Sequence, residues 1–259
     1  MLSREELLKG IENRESVARV IDRVEQAMKT WEITYTDFLS PPELFEAQQL
    51  IQKLTEVHSL AWGGYVQAER QRLAISRTEL PLTETAVEIV AIDIAGNFLF
   101  DPATHRDFLG AMLGTGIVRE KTGDVIVLGE RGAQAIVTPD LVEFLQMNLT
   151  QVRTVPVKVQ PIELSELKVR PPSKKELTTV EASLRLDAIA SAGFGMSRSK
   201  MVDMIGAGDV KINWKEVTQA SYAVKSGDLI AMRGKGRLEV GEIVVTKKQR
   251  YRVALTRYL

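Results

Sequence analysis

Apolar positions recur at three- and four-residue steps through the first sixty residues. Leu7, Leu8 and Ile11 are followed by Val17, Val20, Ile21, Val24 and Met28, one stripe at the helical period. Ser3 and Glu6 have capping-box spacing ahead of it. A second helix is predicted where Ser40 precedes Pro41 and Glu43, with Leu44, Ala47, Leu50, Ile51 and Leu54 as its buried stripe. Gly63-Gly64 breaks the pattern. Beyond it the β-branched stretches YVQAERQRLAI and AVEIVAIDIA read as strands. THRDFLGAMLG reads as a short helix and DVIVLGERGAQAIVT as a hairpin. Thr138-Pro139 opens another helix, and VRTVPVKV is one more strand. PIELSELKVRPPSKKEL, with Pro171-Pro172, reads as a linker. The expected organisation is α+β: a helical module over 1–62, an α/β sandwich over 63–160, a linker over 161–182 and a C-terminal domain over 183–259.

Composition narrows the function classes. The 259-residue chain has no cysteine, which excludes disulfides, thiolate metal sites and a thiol nucleophile. No apolar run approaches the roughly 18 residues of a membrane span, so no membrane insertion is expected. The first residues are charged and amphipathic, without an apolar signal core, and a cytoplasmic protein is the expectation. The zero net charge hides an asymmetry. Residues 183–259 carry 14 Lys and Arg against 7 Asp and Glu, and residues 1–182 carry 20 against 27. A basic end on an acidic body points to a polyanionic partner.

The basic end also has the most specific pattern. Ser183 is placed to cap a helix containing Leu186, Ile189 and Ala190, and Gly193-Phe194-Gly195 forms a turn. Ser197 caps a second helix that buries Met201, Met204 and Ile205. Ser197, Arg198, Ser199 and Lys200 crowd that helix start, where free amides and the helix dipole favour phosphate. Lys211, Asn213 and Lys215 follow, then Lys225, Arg233, Lys235 and Arg237. Folded together, these cations would line a groove that neutralises several phosphates. Trp214 and Tyr222 are candidates to stack on unpaired bases, or else packing residues.

Arg185-Leu186-Asp187, Ser197-Arg198-Ser199, then Ile205, Gly208, Val210, Asn213 and Gly227-Asp228 with Ile230 together resemble the S-four RNA-binding domain. The resemblance implies two helices on a small bent sheet. It implies contacts with structured RNA, often ribosomal or transfer RNA, from Arg198, Ser199, Lys200, Lys211 and Asn213, and from Arg185 where that residue is not tied to Asp187. Family members often have Asn-Gly where this chain has Asn213-Trp214. YTDFLSPPE, GGYVQAERQRL and HRDFLGAMLGTGIVREKTGD, ahead of that domain, resemble the YlmH-type proteins, and most closely their cyanobacterial and plastid branch, the photosystem II S-four domain proteins. That resemblance implies a middle domain like an RNA-recognition motif, without its aromatic stacking signature. It also implies association with the large ribosomal subunit and with rescue of stalled nascent chains.

An enzyme is the rival class. VAIDIAGNFLF lacks the glycine-rich turn a methyltransferase needs, and the Arg-Leu-Asp belongs to the S-four pattern rather than to a pseudouridine synthase. His58 and His105 are the only histidines, and no spacing marks a metal cluster or a carboxylate pair. The expectation is a non-catalytic RNA binder with no cofactor and no metal. The alternatives are an RNA-modifying enzyme with an S-four targeting domain and an adaptor in photosystem II biogenesis. Arg70, Arg72 and Arg77 alternate along a predicted strand and are candidates for a second RNA surface. The sequence leaves the oligomeric state open.

Overall fold

The stripes of the first sixty residues become three helices, the first stripe being split between a short turn of helix over 4–7 and a long helix over 14–30, and they pack on a sheet rather than only on each other. The computed structural model describes residues 4–169, 171 and 173–258, so Ser3 of the expected capping box lies outside the described residues. The chain divides into two units, residues 1–170 and 171–259.

In the first unit, α1 (Arg4–Leu7), α2 (Arg14–Thr30), β1 (Thr34–Tyr35), α3 (Pro41–Ile51), β2 (Val57–Trp62) and β3 (Arg72–Arg77) form the amino-terminal part. The Ser40–Glu43 capping box starts α3. Val17, Val20, Ile21 and Val24 of α2 bury against Ala47, Leu50 and Ile51 of α3 and against Leu73 and Ile75 of β3. The sheet order is β1-β3-β2, all antiparallel, with Val57 opposite Arg77 through Trp62 opposite Arg72. The expected break at 62/63 is therefore corrected. Gly63-Gly64 lies inside the β2–β3 connection, where a Cβ on Gly63 would come 2.4 Å from the Arg70 carbonyl oxygen. That pair marks a close backbone approach, not a domain edge.

The middle part runs β4 (Val90–Ala95), α4 (His105–Gly114), β5 (Thr122–Val127), β6 (Gly132–Val137), α5 (Val142–Asn148), a small ribbon β7 (Gln151–Val152) and β8 (Val155–Pro156), and β9 (Lys158–Ile162). Thr104 and Asp107 form the capping box of α4. The order β5-β6-β4-β9 is fully antiparallel, a β-α-β-β-α-β arrangement. Ile92, Ile94, Ala133, Ala135 and Val137 pack against Phe98, Phe108, Met112 and Leu145. On the sheet's other face Ala91 and Ile136 are also buried. A Cβ on Gly123 would lie 2.8 Å from the Phe38 ring, so the amino-terminal part covers this end of the face an RNA-recognition motif leaves open.

The arginines expected as a second RNA surface are used internally, which corrects that expectation. Arg70 donates to the carbonyls of Phe38 at 2.7 Å and Thr122 at 3.0 Å, tying the two parts together. Arg72 is buried; it donates to the Thr36 carbonyl at 2.7 Å and to the Glu88 carbonyl. Arg77 sits 3.9 Å over the Trp31 ring and donates to the Met28 carbonyl at 3.3 Å. Their guanidinium groups donate to backbone oxygens whose burial makes a lost partner costly.

In the second unit, β10 (Lys174–Glu181) leads to α6 (Leu186–Phe194), α7 (Arg198–Gly206), β11 (Val210–Ile212), β12 (Lys215–Glu216), β13 (Leu229–Met232), β14 (Gly236–Val245) and β15 (Tyr251–Tyr258). All pairs are antiparallel, in the order β10-β15-β14-β13-β11-β12. Leu186, Ile189, Phe194, Met201 and Ile205 of the helices meet Val210, Ile212, Ile230, Leu238, Val253 and Leu255 of the sheet. A Cβ on Gly193 would come 2.1 Å from a Leu238 methyl, so only glycine lets α6 lie this close. The expected linker over 161–182 is corrected at both ends. Gln134 binds the Glu166 carbonyl at 3.2 Å and the Lys168 amide at 2.7 Å, while β10 is an edge strand of the second sheet.

Replacing Arg72 by Met leaves the Thr36 and Glu88 carbonyls without their donor. It is expected to lower the stability of the first unit by about 1–3 kcal/mol while leaving RNA affinity unchanged. Denaturant unfolding and an RNA titration check both halves; a loss of affinity without loss of stability would restore Arg72 to the RNA surface.

Candidate nucleic-acid interface

Helix α7 begins as the sequence predicts. The Ser197 hydroxyl accepts the Lys200 amide at 3.3 Å, and Arg198, Ser199 and Lys200 are exposed in the first turn. The opening of α6 differs: Arg185, not Ser183, occupies the cap position before Leu186.

The two helix starts are joined by one carboxylate. Arg185 donates Nε and Nη2 to the Asp187 oxygens at 3.1 Å each, and Arg198 does the same at 3.1 Å each. The Ala188 amide adds a bond to Asp187 Oδ1 at 2.9 Å. The Asp187 side chain is only 4% exposed, whereas those of Arg185 and Arg198 are 41% and 55% exposed. Burial raises the Asp187 pKa, but the hydrogen bonds and charges of Arg185 and Arg198 outweigh it and hold the carboxyl below its ordinary value. Two cations on one anion leave a net positive charge. Each guanidinium uses two of its five N–H groups on Asp187, so the remaining three keep an acceptor-seeking edge. The pair is thus fixed in place and still open to a phosphate.

A strap closes over the head of α6. The amides of Leu186 and Asp187, free at the head of α6, donate to the carbonyls of Tyr222 at 2.8 Å and Ala220 at 3.1 Å, and the Val224 amide donates to Leu184 at 2.8 Å. Tyr222, 38% exposed, therefore stands next to Arg185. The strap runs on into exposed Lys225, whose amide binds Asp228 at 2.8 Å.

Asn213 has a different task from the one expected. Its Nδ2 donates to Asp228 at 2.8 Å and its Oδ1 accepts the Leu229 amide at 2.9 Å. Its amide group locks the strap to β13, so Asn213 positions the surface instead of offering its side chain to RNA. Asn213 and Trp214 have φ of +49° and +70°, the two-residue turn that twists a hairpin correctly and usually carries Asn-Gly. Trp214 accepts the left-handed backbone without a glycine's freedom.

The remaining predicted cations do not join one groove. Lys211 faces away from the helices, because its neighbours Val210 and Ile212 face them. Lys211, Ala231 and Arg237 are in cross-strand register, so Arg237 shares that outer face. Lys215 is exposed on edge strand β12. Arg233 and Lys235 form the β13–β14 turn, at the other end of β13 from Asn213. Arg257 donates to the carbonyls of Phe194 at 3.2 Å and Lys235 at 3.4 Å, which sets that turn beside the end of α6. The expectation of a single cradle built from all these cations is corrected to one fixed pair at the helix starts, with separate clusters on the sheet's outer face and at one turn. Lys247, Lys248, Arg250 and Arg252, counted in the charge asymmetry, carried no expectation, although TKKQRYR is the densest basic run in the chain.

His58 Nε2 lies 2.8 Å from the Ser76 hydroxyl and 2.6 Å from the Leu80 carbonyl, a structural pairing. Among the described residues, no group of three or more His, Asp or Glu side chains is arranged to hold a metal ion, and no helix is long and apolar enough to cross a membrane.

Three families match consecutive parts of the chain: "YlmH, N-terminal" over residues 12–80, "Putative RNA-binding domain in YlmH" over 83–166, and "S4 domain" over 184–230. The first two meet just past β3, where the structure also ends the amino-terminal sheet. Ribosome-associated protein quality control protein P2 of Bacillus subtilis (strain 168) is 35% identical over 226 residues, 86% of each chain. The solved structure of cell division protein ylmH from Streptococcus pneumoniae aligns with 62% of this chain and 96% of its own, with a TM-score of 0.54 at 20% identity, a likeness of fold.

Because the folded Asp187 carboxyl titrates below its unfolded value, its stabilisation is present above about pH 4 and is lost as pH falls through the folded value. Asp187→Ala is expected to lower the stability of the second unit by about 1.5–3 kcal/mol, the range for hydrogen bonds to a charged group. Asp187→Asn should remove the carboxylate's share of the acid dependence. Denaturant unfolding between pH 3 and 7 reads both; an Asn variant with the parent's full acid dependence would contradict the assignment.

Proposed function

Because the chain belongs to the YlmH family, we propose that it is an RNA-binding protein that works on the ribosome and acts by binding, not by catalysis. Its partner is structured ribosomal or transfer RNA on the large subunit, and its role is in quality control of stalled nascent chains. The printed name of the Bacillus relative supports the ribosomal setting. The observation that carries the reading is the Arg185–Asp187–Arg198 arrangement beside the exposed start of α7.

The chemistry follows from that arrangement. A phosphate at the α7 start meets free backbone amides, the positive end of the helix dipole, Ser199, Lys200 and the outer edge of Arg198. Arg185 and Tyr222 extend the surface along the strap. Asp187 keeps both guanidinium groups from collapsing elsewhere, so little side-chain entropy is lost when RNA arrives. A paired RNA helix hides its base edges in a deep groove, so such a surface reads backbone shape.

Changing Arg198 and Lys200 together to Ala is expected to weaken binding to transfer RNA and to a ribosomal RNA fragment. It should reduce the slope of log affinity against log salt by about 1.5, near 0.7–0.9 for each lost phosphate contact. An unchanged slope would remove both side chains from the interface.

A further inference from the structure

Strands β14 and β15 continue well past the sheet that carries the α6–α7 site. β13 pairs with β14 only over 236–239, and the S4 family match ends at residue 230. Beyond it, β10, β15 and β14 go on alone as a three-stranded arm. The register shifts between Val240 and Ile243, a bulge that bends and twists the arm. A Cβ on Gly241 would meet the Ala254 carbonyl at 3.2 Å, so the bulge is tightly packed.

The arm ends in an ordered, basic tip. The Thr246 amide donates to the Arg250 carbonyl at 2.7 Å, the Gln249 amide to the Thr246 carbonyl at 2.9 Å, and the Arg250 amide to the Thr246 hydroxyl at 3.1 Å. Gln249 takes the left-handed conformation, φ +55°, that closes the turn. Lys247, Lys248 and Arg250 are exposed on it, and Arg252 follows on β15 opposite Val244 and Val180. Among the described residues, none of these four side chains has a hydrogen-bond or ion-pair partner. Arg70, Arg72 and Arg153 of the first unit, by contrast, are used on carbonyls or carboxylates. Val245 and Val180 beside the tip are 63% and 46% exposed.

We infer that the β14–β15 tip is a second RNA-backbone contact, separate from the α6–α7 site, in which Lys247, Lys248, Arg250 and Arg252 meet phosphates of a paired RNA. A solubilising charge run needs no fixed geometry, yet Lys247, Lys248 and Arg250 sit on a hydrogen-bonded turn and Arg252 on the paired strand that leaves it. A narrow ribbon with a cationic end suits the phosphates flanking a groove, and a surface of this kind selects shape over sequence. The inference rests on the RNA-binding reading above, but it concerns different residues.

The test uses the full chain with Lys247, Lys248 and Arg250 changed together to Ala, and a charge-keeping control, Lys247→Arg with Lys248→Arg and Arg250→Lys. The probes are a transfer RNA transcript and a fully paired RNA stem-loop, titrated across salt. The Ala variant should lower the salt slope by about 2–3, the control should keep it, and thermal unfolding should be the same for all. If the parent binds these RNAs and the Ala variant binds with the parent's slope, this inference fails alone. If the parent binds neither RNA, the proposed function fails and takes the inference with it. Loss of binding to phosphatidylserine vesicles in the Ala variant, with the RNA slope unchanged, would assign the tip to a membrane surface and overturn the RNA contact.

Discussion

One buried carboxylate governs the arrangement of the carboxy-terminal unit. Asp187 sits at the head of α6, where its charge complements the helix dipole, and takes both Arg185 and Arg198 in two-point hydrogen bonds. Without it, two guanidinium groups at adjacent helix starts would repel and wander. With it, they become a rigid cationic edge. The same carboxylate joins α6 to α7 across the turn at Gly195, so the folding constraint and the binding surface are one feature. The strap through Tyr222 then covers the amides of α6 that Asp187 leaves free, and Asn213 with Asp228 fixes the strap.

The two units use their charges in opposite ways. In the first, arginines turn inward: Arg70 joins the amino-terminal part to the middle sheet, and Arg72 and Arg77 satisfy carbonyls around β1 and the end of α2. Arg119 is half-buried beside Arg70, and desolvation and that like charge depress its pKa to about 10. In the second, most cations other than Arg257 stay at the surface, and Asp187 serves as an organiser, not a neutraliser. The asymmetry of the sequence, 14 basic against 7 acidic residues over 183–259, is thus carried at the surface of the second unit.

Local signals were legible and long-range ones were not. The Ser197 cap, the Ser40–Glu43 box and the hairpin of β5 and β6 depend on residues a few positions apart, and they form as the pattern predicts. The Arg185-Leu186-Asp187 and Ser197-Arg198-Ser199 pieces also located the helix starts, because that surface is built from two short segments. The amino-terminal sheet was missed because β3 pairs with β1 more than thirty residues upstream, which no local period reports. Alternation along β3 suggested an exposed arginine face, but β3 is the central strand of its sheet, and residues 72–76 are all buried. Lys211 and Arg237 were grouped with the helix-start cations because sequence proximity to a motif does not reveal strand parity. The basic tip at 247–250 lies beyond the S-four motif, and its local sequence carries no signal of the turn that orders it.

The central claim is that Asp187 holds Arg185 and Arg198 as a fixed, RNA-facing pair. Nuclear magnetic resonance of the arginine Nε–H groups in the full chain reads this directly. The account predicts that the Arg185 and Arg198 Nε–H signals are protected from exchange with water, as those of Arg70 and Arg72 are, that these two alone lose protection in Asp187→Asn, and that they shift when transfer RNA is added. Exchange as fast as that of exposed Arg250, with no response to RNA, would contradict it.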